Sequence, residues 1–485
     1  MNPNIIFVLL DGARCDRIHT SKDFMELKKD GCLFNNVTAA YPYTFPAINS
    51  MFTGMFGKEN GVDAYYKMFK LKDSIAFLPE ILQENGYFTS CDLISDKVIS
   101  SRGFNIHQSH NEYEDDLTTR HPELIKKSFK EANGQPIFTF LQFSRIHTIT
   151  VSEVLKKYEW DDAEFYQKKS DNMKNYDGVF QESVIYAKKI VQTIEKLGKS
   201  DETIIVFFSD HGTGVGERFG ERNYGVYTYE ETIRTFHLFL GTGIVKNHVC
   251  DKLVSSLQLF PTIMDLCQIK FDSQTNLPSL MPYFVGNLDT KIELPYVFSE
   301  TGGLQGPFPS PKEPNVFCIK NSRYKLIFFK TSKEWKLFDL IEDPKEEENI
   351  FKKYGKKVND CWDTSNITPG TLFMKKLIIL FTLFAGFEFS ALAQLEAQSE
   401  RIFECRNFGR RSKINELYIV ESTMGTRTYY EVEVPYNEWG EDKVFFRKLN
   451  LISKYNGRVL LYTTGNYRVK IDRAIPNEMK YKSFV

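Results

Sequence analysis

The run Thr203-Ile204-Ile205-Val206-Phe207-Phe208 is apolar at every position after the first. A strand of that kind has no face to give to water and needs cover on both sides. The segments Asn4–Leu10 and Pro136–Phe143 have the same character, and Phe88–Ile94 reads as another strand. Between Tyr176 and Leu197 the apolar residues Val179, Val184, Ile185, Ala187, Ile190, Val191, Ile194 and Leu197 recur at helical spacing. That is the pattern of an amphipathic crossover helix. Strands alternating with helices predict an α/β fold: a doubly wound, mostly parallel sheet with helices on both faces.

In open α/β sheets, ligands bind beyond the carboxyl ends of the strands. The run 203–208 ends in Ser209-Asp210-His211-Gly212, and the first strand ends in Asp11-Gly12, with Arg14 and Asp16 following. Asp and His with oxygen co-ligands suit a divalent cation. The plain alternative is that both Asp residues cap turns. The strand 136–143 delivers His147 to the same rim, whereas a lone loop His elsewhere is usually a bystander. Arg14 is placed to neutralise an anionic substrate or simply to pair with Asp16. Thr44 precedes a Phe45-Pro46 turn and a helical stretch closed by Thr53-Gly54. A hydroxyl at a helix N-terminus faces unpaired N–H groups that favour an anion, and metal coordination makes it a nucleophile. Read alone, Thr44 is also an ordinary cap. Coarser expectations are a helix over Leu71–Asn85, a polar loop over Asn105–Leu124, a strand over Phe236–Leu240, and a helix over Leu253–Leu266 broken by Pro261. The stretch Gly212–Arg218 lacks the P-loop pattern, so no nucleotide cradle is expected.

The 485 residues carry a net charge of -1, so no global field points to nucleic acid. Eight cysteines are scattered without metal-finger spacing, as in a reduced protein. The N-terminal apolar run is too short for a signal, and the catalytic part is expected to be cytoplasmic.

In order, the blocks Asn4-Ile5-Ile6 to Asp11 with Arg14 and Asp16, Thr44-Phe45-Pro46 with Thr53-Gly54, Ser209-Asp210-His211-Gly212 with Gly216-Glu217, and Tyr229-Glu230-Glu231 with Arg234 form a recognisable set. Pro261–Leu266, Glu300 and Trp335–Glu346 with Asn349 continue it. Residues 4–351 thereby resemble the sulfatase family of the alkaline phosphatase superfamily. The resemblance implies an ester hydrolase or transferase whose metal ligands are Asp11, Thr44, Asp210 and His211. It makes Thr44, His147 and Arg14 the catalytic candidates. Sulfatases carry a Cys or Ser, oxidised to formylglycine, in a Cys/Ser-x-Pro-x-Arg motif. Here Thr44 stands at that position and Ile48 at the Arg position, and threonine cannot become formylglycine. Asp, Thr, Asp and His are similar to the metal set of phosphoglycerol transferases, and Thr44-Phe45-Pro46 to the nucleophile turn of nucleotide pyrophosphatases/phosphodiesterases. The expected reaction is therefore attack of Thr44 on a phosphoester, with one divalent metal, Mn or Mg ahead of Ca or Zn. The alternatives are a sulfuric ester hydrolase working without formylglycine and a silent binding homologue. His237 is the candidate extra ligand were a second metal present. The expected substrate is a small-molecule, glycan- or lipid-linked ester.

Residues 352–373 read as a linker. Met374-Lys375-Lys376, an apolar run and Ala391-Leu392-Ala393 make 374–393 resemble a signal peptide or a membrane-spanning segment placed internally. Membrane attachment or export of the C-terminal part through this segment, or fusion of two reading frames at Met374, is the expectation; a buried helix is the alternative. Residues 394–485 alternate as β-strands, including a hairpin about Thr464-Gly465-Asn466, and form a small β-rich domain with no catalytic constellation.

Overall fold

The computed structural model describes residues 2–62, 70–271, 274–284, 294–302 and 315–353, together with seven strands between 401 and 483. The chain divides into two compact units, Met1–Phe373 and Met374–Val485.

The first unit is built on a nine-stranded sheet. Its strands are β1 (Asn4–Leu10), β2 (Gly31–Thr38), β3 (Phe88–Leu93), β4 (Ile106–Ser109), β5 (Ile137–Phe143), β6 (Thr203–Phe208), β7 (Arg234–Gly241), β8 (His248–Cys250) and β9 (Val254–Ser255). They lie in the order β4-β3-β5-β1-β6-β7-β2-β8, with β9 on β2. Of the nine, β7 runs against its neighbours β6 and β2. A parallel return needs a crossover element; between β6 and β7 the chain has only loops and the single-turn helix Glu230–Ile233.

Side-chain alternation explains why the strands are apolar throughout. Ile5, Phe7 and Leu9 enter one hydrophobic cluster, and Ile6, Val8 and Leu10 enter the other. In β6, Ile204, Val206 and Phe208 join the first, Ile205 and Phe207 the second. The helix Thr44–Met51 covers the first face through Ile48 and Met51. The helix Lys169–Lys196 covers the second through Val179, Phe180, Val184, Ala187, Ile190 and Ile194.

Three local expectations are revised. The helix predicted over 71–85 spans only Leu78–Glu84, with Pro79 in its first turn, where a missing N–H costs nothing. The polar stretch 105–124 is not a loop throughout. It holds β4 and the start of the helix Leu117–Ala132, whose Asp116 side chain accepts from Thr118 N. The acidic run hid a cap. Pro261 does not break a helix; it sits in the first turn of Leu259–Leu266, after a short 3-10 turn capped by Ser255.

A second, four-stranded antiparallel sheet follows in the order β10 (Val297–Thr301), β11 (Val316–Lys320), β12 (Tyr324–Phe329) and β13 (Glu334–Asp339). Buried charge fastens it to the large sheet. Glu230 accepts from Lys320 Nζ at 2.8 Å and Lys325 Nζ at 3.1 Å, and Lys325 Nζ lies 2.8 Å from Glu346. Arg218 Nε binds Glu231 at 2.7 Å. All six described cysteines are buried.

The second unit is a seven-stranded antiparallel meander, β14 (Arg401–Glu404), β15 (Ile414–Glu421), β16 (Arg427–Glu433), β17 (Phe445–Tyr455), β18 (Arg458–Tyr462), β19 (Arg468–Ile475) and β20 (Glu478–Ser483). These strands match the alternation expected over residues 394–485. The signal-like segment 374–393, most of the linker and the turn at Thr464 lie outside the described residues. Among the described residues, no helix is long and apolar enough to cross a membrane.

Candidate active site

Parallel register brings the strand ends level. Leu10 pairs with Phe143 across β1–β5, and Leu9 with Phe208 across β1–β6. The residues just beyond, Asp11 and Asp210, continue the alternation toward the face covered by the helix Thr44–Met51. Two glycines let the backbone close up there. Gly12 takes φ +75°, and Gly212 lies against the Glu231 carbonyl so tightly that a Cβ would collide with it.

Asp11, Asp210 and His211 are fully buried and offer ligand-type atoms within 4.8 Å of one another. His211 Nε2 lies 3.6 Å from Asp11 Oδ1 and 3.4 Å from Asp210 Oδ2. The Thr44 hydroxyl, the first residue of its helix, lies 3.2 Å from the same nitrogen. His211 Nδ1 is 2.7 Å from the Gly212 carbonyl. A carbonyl can only accept, so Nδ1 carries the proton and Nε2 presents its lone pair. One oxygen of each carboxylate is fixed. Gln142 Nε2 donates to Asp11 Oδ2 at 2.7 Å, and the Gly12 and His211 amides donate to Asp210 Oδ1 at 3.3 and 2.9 Å. The other oxygens, Asp11 Oδ1 and Asp210 Oδ2, are buried without a partner.

Two anions with orphaned oxygens beside a neutral imidazole are costly in a protein interior. Burial, aided for Asp11 by the Asp210 charge, pushes both carboxyls up to about 6. Burial also lowers the pKa of His211. A divalent cation would satisfy both stray oxygens and the Nε2 lone pair, with the Thr44 hydroxyl beside it. The donor set of three oxygens and one nitrogen fits such an ion.

The other sequence candidates are placed as follows. His147 lies on the short helix Arg145–Thr150 beyond β5, with Nδ1 3.3 Å from Glu112 Oε2. Burial opposes its charged form, but Glu112, Asp11 and Asp210 together raise its pKa. Arg14 forms the pair with Asp16 at 2.8 Å and adds Glu217 at 2.6 Å and the Thr213 carbonyl at 3.1 Å. All three of its nitrogens are engaged. His237 is buried with both nitrogens unpartnered, packed against Phe208 and Phe239. It belongs to neither metal-capable group found among the described residues.

Sequence reasoning missed three residues. Gln142 orients Asp11 and accepts from Ile94 N at 3.2 Å; its signal was an amide in an otherwise apolar strand. Tyr224 packs its ring 4.6 Å from His211 and 6.0 Å from His147. Glu112 falls in the stretch expected as a polar loop, and nothing local distinguishes it.

A mixed, mostly parallel sheet with an Asp–Asp–His–Thr cluster at its carboxyl rim defines an alkaline-phosphatase-like α/β protein. The family model for sulfatases matches residues 3–269, and that for the C-terminal region of N-sulphoglucosamine sulphohydrolase matches 222–361. The chain belongs to the sulfatase family. It is 25% identical to arylsulfatase K of Bos taurus over 40% of this chain and 36% of that protein. It is 29% identical to the N-acetylglucosamine-6-O-sulfatase of Bacteroides thetaiotaomicron over 35% of this chain and 30% of that one. The match thus spans about a third of these relatives' lengths. Among solved structures, the phosphonate monoester hydrolase of Agrobacterium radiobacter superposes with TM-score 0.61 at 16% identity, over 79% of this chain and 96% of that one. A protein solved with its substrate D-glucosamine-2-N,6-O-disulfate superposes with TM-score 0.58 at 18% identity, over 74% and 96%.

Proposed function

We propose that this chain hydrolyses a sulfate ester on a sugar or glycan with the help of one divalent cation, and that Thr44 does the work formylglycine does in other sulfatases. The observation carrying the proposal is the Thr44 hydroxyl beside the His211 lone pair, with two orphaned carboxylate oxygens around it. The preference for sulfate over the phosphoester expected from the sequence rests on the relatives, arylsulfatase K and a sugar sulfatase.

Asp11, Asp210, His211 and Thr44 would hold the cation, Mn or Mg by the oxygen-rich donor set. Its chemistry there is to lower the pKa of the Thr44 hydroxyl and to balance charge on the non-bridging oxygens. Thr44 Oγ, its proton given up to bulk water, attacks sulfur in line as the bond from sulfur to the sugar oxygen breaks. His147, kept protonated by Glu112, gives its proton to that leaving oxygen. Water then attacks the sulfo-threonine at sulfur, His147 takes a proton from it, and sulfate leaves with Thr44 restored. Gln142 and Tyr224 hold Asp11 and His211 in place. Arg14, engaged by Asp16 and Glu217, braces the loop at Thr213.

A second reading is the phosphoester. Threonine attacks phosphorus without any modification, and a phosphonate monoester hydrolase shares the fold. A panel of sulfated sugars, aryl sulfate, phosphate monoester and phosphodiester with Mn-loaded protein separates the two. Sulfate esters should turn over fastest; faster phosphoester turnover overturns the first reading in favour of the second. Thr44→Ala should lose at least about 10³-fold in kcat with the fold intact. Full activity of that variant on every ester would remove Thr44 as nucleophile.

A further inference from the structure

A second group of ligand-type side chains lies two strands away on the same rim. Asp92 sits near the end of β3, His110 directly follows the edge strand β4, and His121 lies in the helix Leu117–Ala132. All three are buried, and their ligand-type atoms lie within 4.8 Å of one another. We propose that Asp92, His110 and His121 form a metal site of the zinc class, separate from the Thr44 cluster, which fastens the loop carrying Glu112.

The cluster has the internal order of a ligand set. His110 Nδ1 is 2.9 Å from Asp92 Oδ1, and His121 Nε2 is 4.0 Å from Asp92 Oδ2. Metal-binding imidazoles are held through their second nitrogen by a fixed partner. His121 Nδ1 has one, the buried Tyr186 hydroxyl at 2.6 Å. Asp92 is oriented likewise. Its Oδ2 accepts from Arg120 Nε at 2.6 Å and Gln108 Nε2 at 2.8 Å. The bland explanation, that Asp92 only neutralises Arg120, needs neither imidazole. It leaves the Nε2 atoms of both His110 and His121 buried without a partner. Burying such an atom without a partner destabilises the folded state.

The chemistry of the set selects the ion. Two nitrogens and one carboxylate oxygen match zinc with an open fourth position. A single carboxylate with two imidazoles disfavours Mg or Ca, which need several oxygen ligands. The loop from His110 to Asp116 contains Glu112, which contacts His147. An ion tying His110 to β3 and to the helix would therefore fix the base of that loop. The proposal stands without the sulfatase reading, because it concerns a different ligand set.

The test is zinc titration of the full chain after chelator treatment, with bound metal counted and cobalt substituted for its visible spectrum. An Asp11→Asn, Asp210→Asn double variant, stripped of the Thr44 cluster, should still bind one zinc. Adding His121→Asn should remove that equivalent and the cobalt spectrum. Tyr186→Phe, which keeps every ligand and the core packing, should weaken zinc by about 10-fold. Two results overturn the proposal: no zinc on the Asp11/Asp210 double variant, or unchanged zinc affinity in both the His121→Asn and Tyr186→Phe proteins.

Discussion

Replacing Asp11 by Asn tests the reading of the Thr44 cluster through stability rather than turnover. The asparagine carbonyl can still accept from Gln142, and its amide can donate to the His211 Nε2 lone pair. One of two crowded buried charges disappears. In the unfolded chain Asp11 holds its proton only up to 3.8; folded and metal-free, up to about 6. Between those values the native state binds more protons, so metal-free stability falls as pH rises from about 4 to about 6 and stays lowered above. A carboxyl displaced that far costs the folded protein about 3 kcal/mol once ionised. In chelator at pH 8, Asp11→Asn should therefore be more stable than the parent by up to about 3 kcal/mol in urea melts. That advantage should vanish near pH 4. Added Mn should stabilise the parent by RT ln(1 + [L]/Kd), about 2.7 kcal/mol at 100 times Kd, and should leave the variant unmoved. A variant less stable than the parent at pH 8 in chelator, or one that gains as much from Mn, would refute the argument that these carboxylates are assembled for a cation.

Glu112→Gln removes the hydrogen-bonded charge that raises the His147 pKa. A proton donor is lost as pH climbs past its pKa, so the alkaline limb of the kcat/KM profile should move to lower pH, while an unmoved limb would take the proton-donor role from His147. Gly212→Ala drives a Cβ into the Glu231 carbonyl; a loss of at least about 1–3 kcal/mol in denaturant melts is expected, together with weakened Mn binding. Lys325→Met takes the paired lysine from buried Glu346 and leaves Glu230 with Lys320 alone and should cost about 3–5 kcal/mol by the same measurement.

Strand ends were the legible part of the molecule. Asp11, Asp210 and His211 follow directly from runs too apolar to be anything but buried strands, and Thr44 follows from its turn. Period-2 alternation then settles which face each one serves. The same logic missed what arrives from elsewhere in the chain. Glu112 reaches His147 from an acidic run that also conceals a helix cap, and Tyr224 reaches His211 from a loop without periodicity. The reversal of β7 was invisible because strand direction depends on the connection, not on the strand. Pro261 misled because proline breaks a helix only outside its first turn, and the helix expected from Leu71 starts at Leu78 for the same reason, with Pro79 in its first turn.

The buried ion pairs at Glu230 and Glu231 have a bearing on how the protein comes off the ribosome. Gly212, next to His211, rests on the Glu231 backbone, and the turn bearing Glu230 and Glu231 is gripped by Arg218, Lys320 and Lys325. Two of those three residues, Lys320 and Lys325, are encoded more than a hundred residues after the histidine they steady. During synthesis the pocket would stay slack until β12 has emerged, so a nascent chain stopped before Lys320 would carry every residue of the cluster and still lack its working shape.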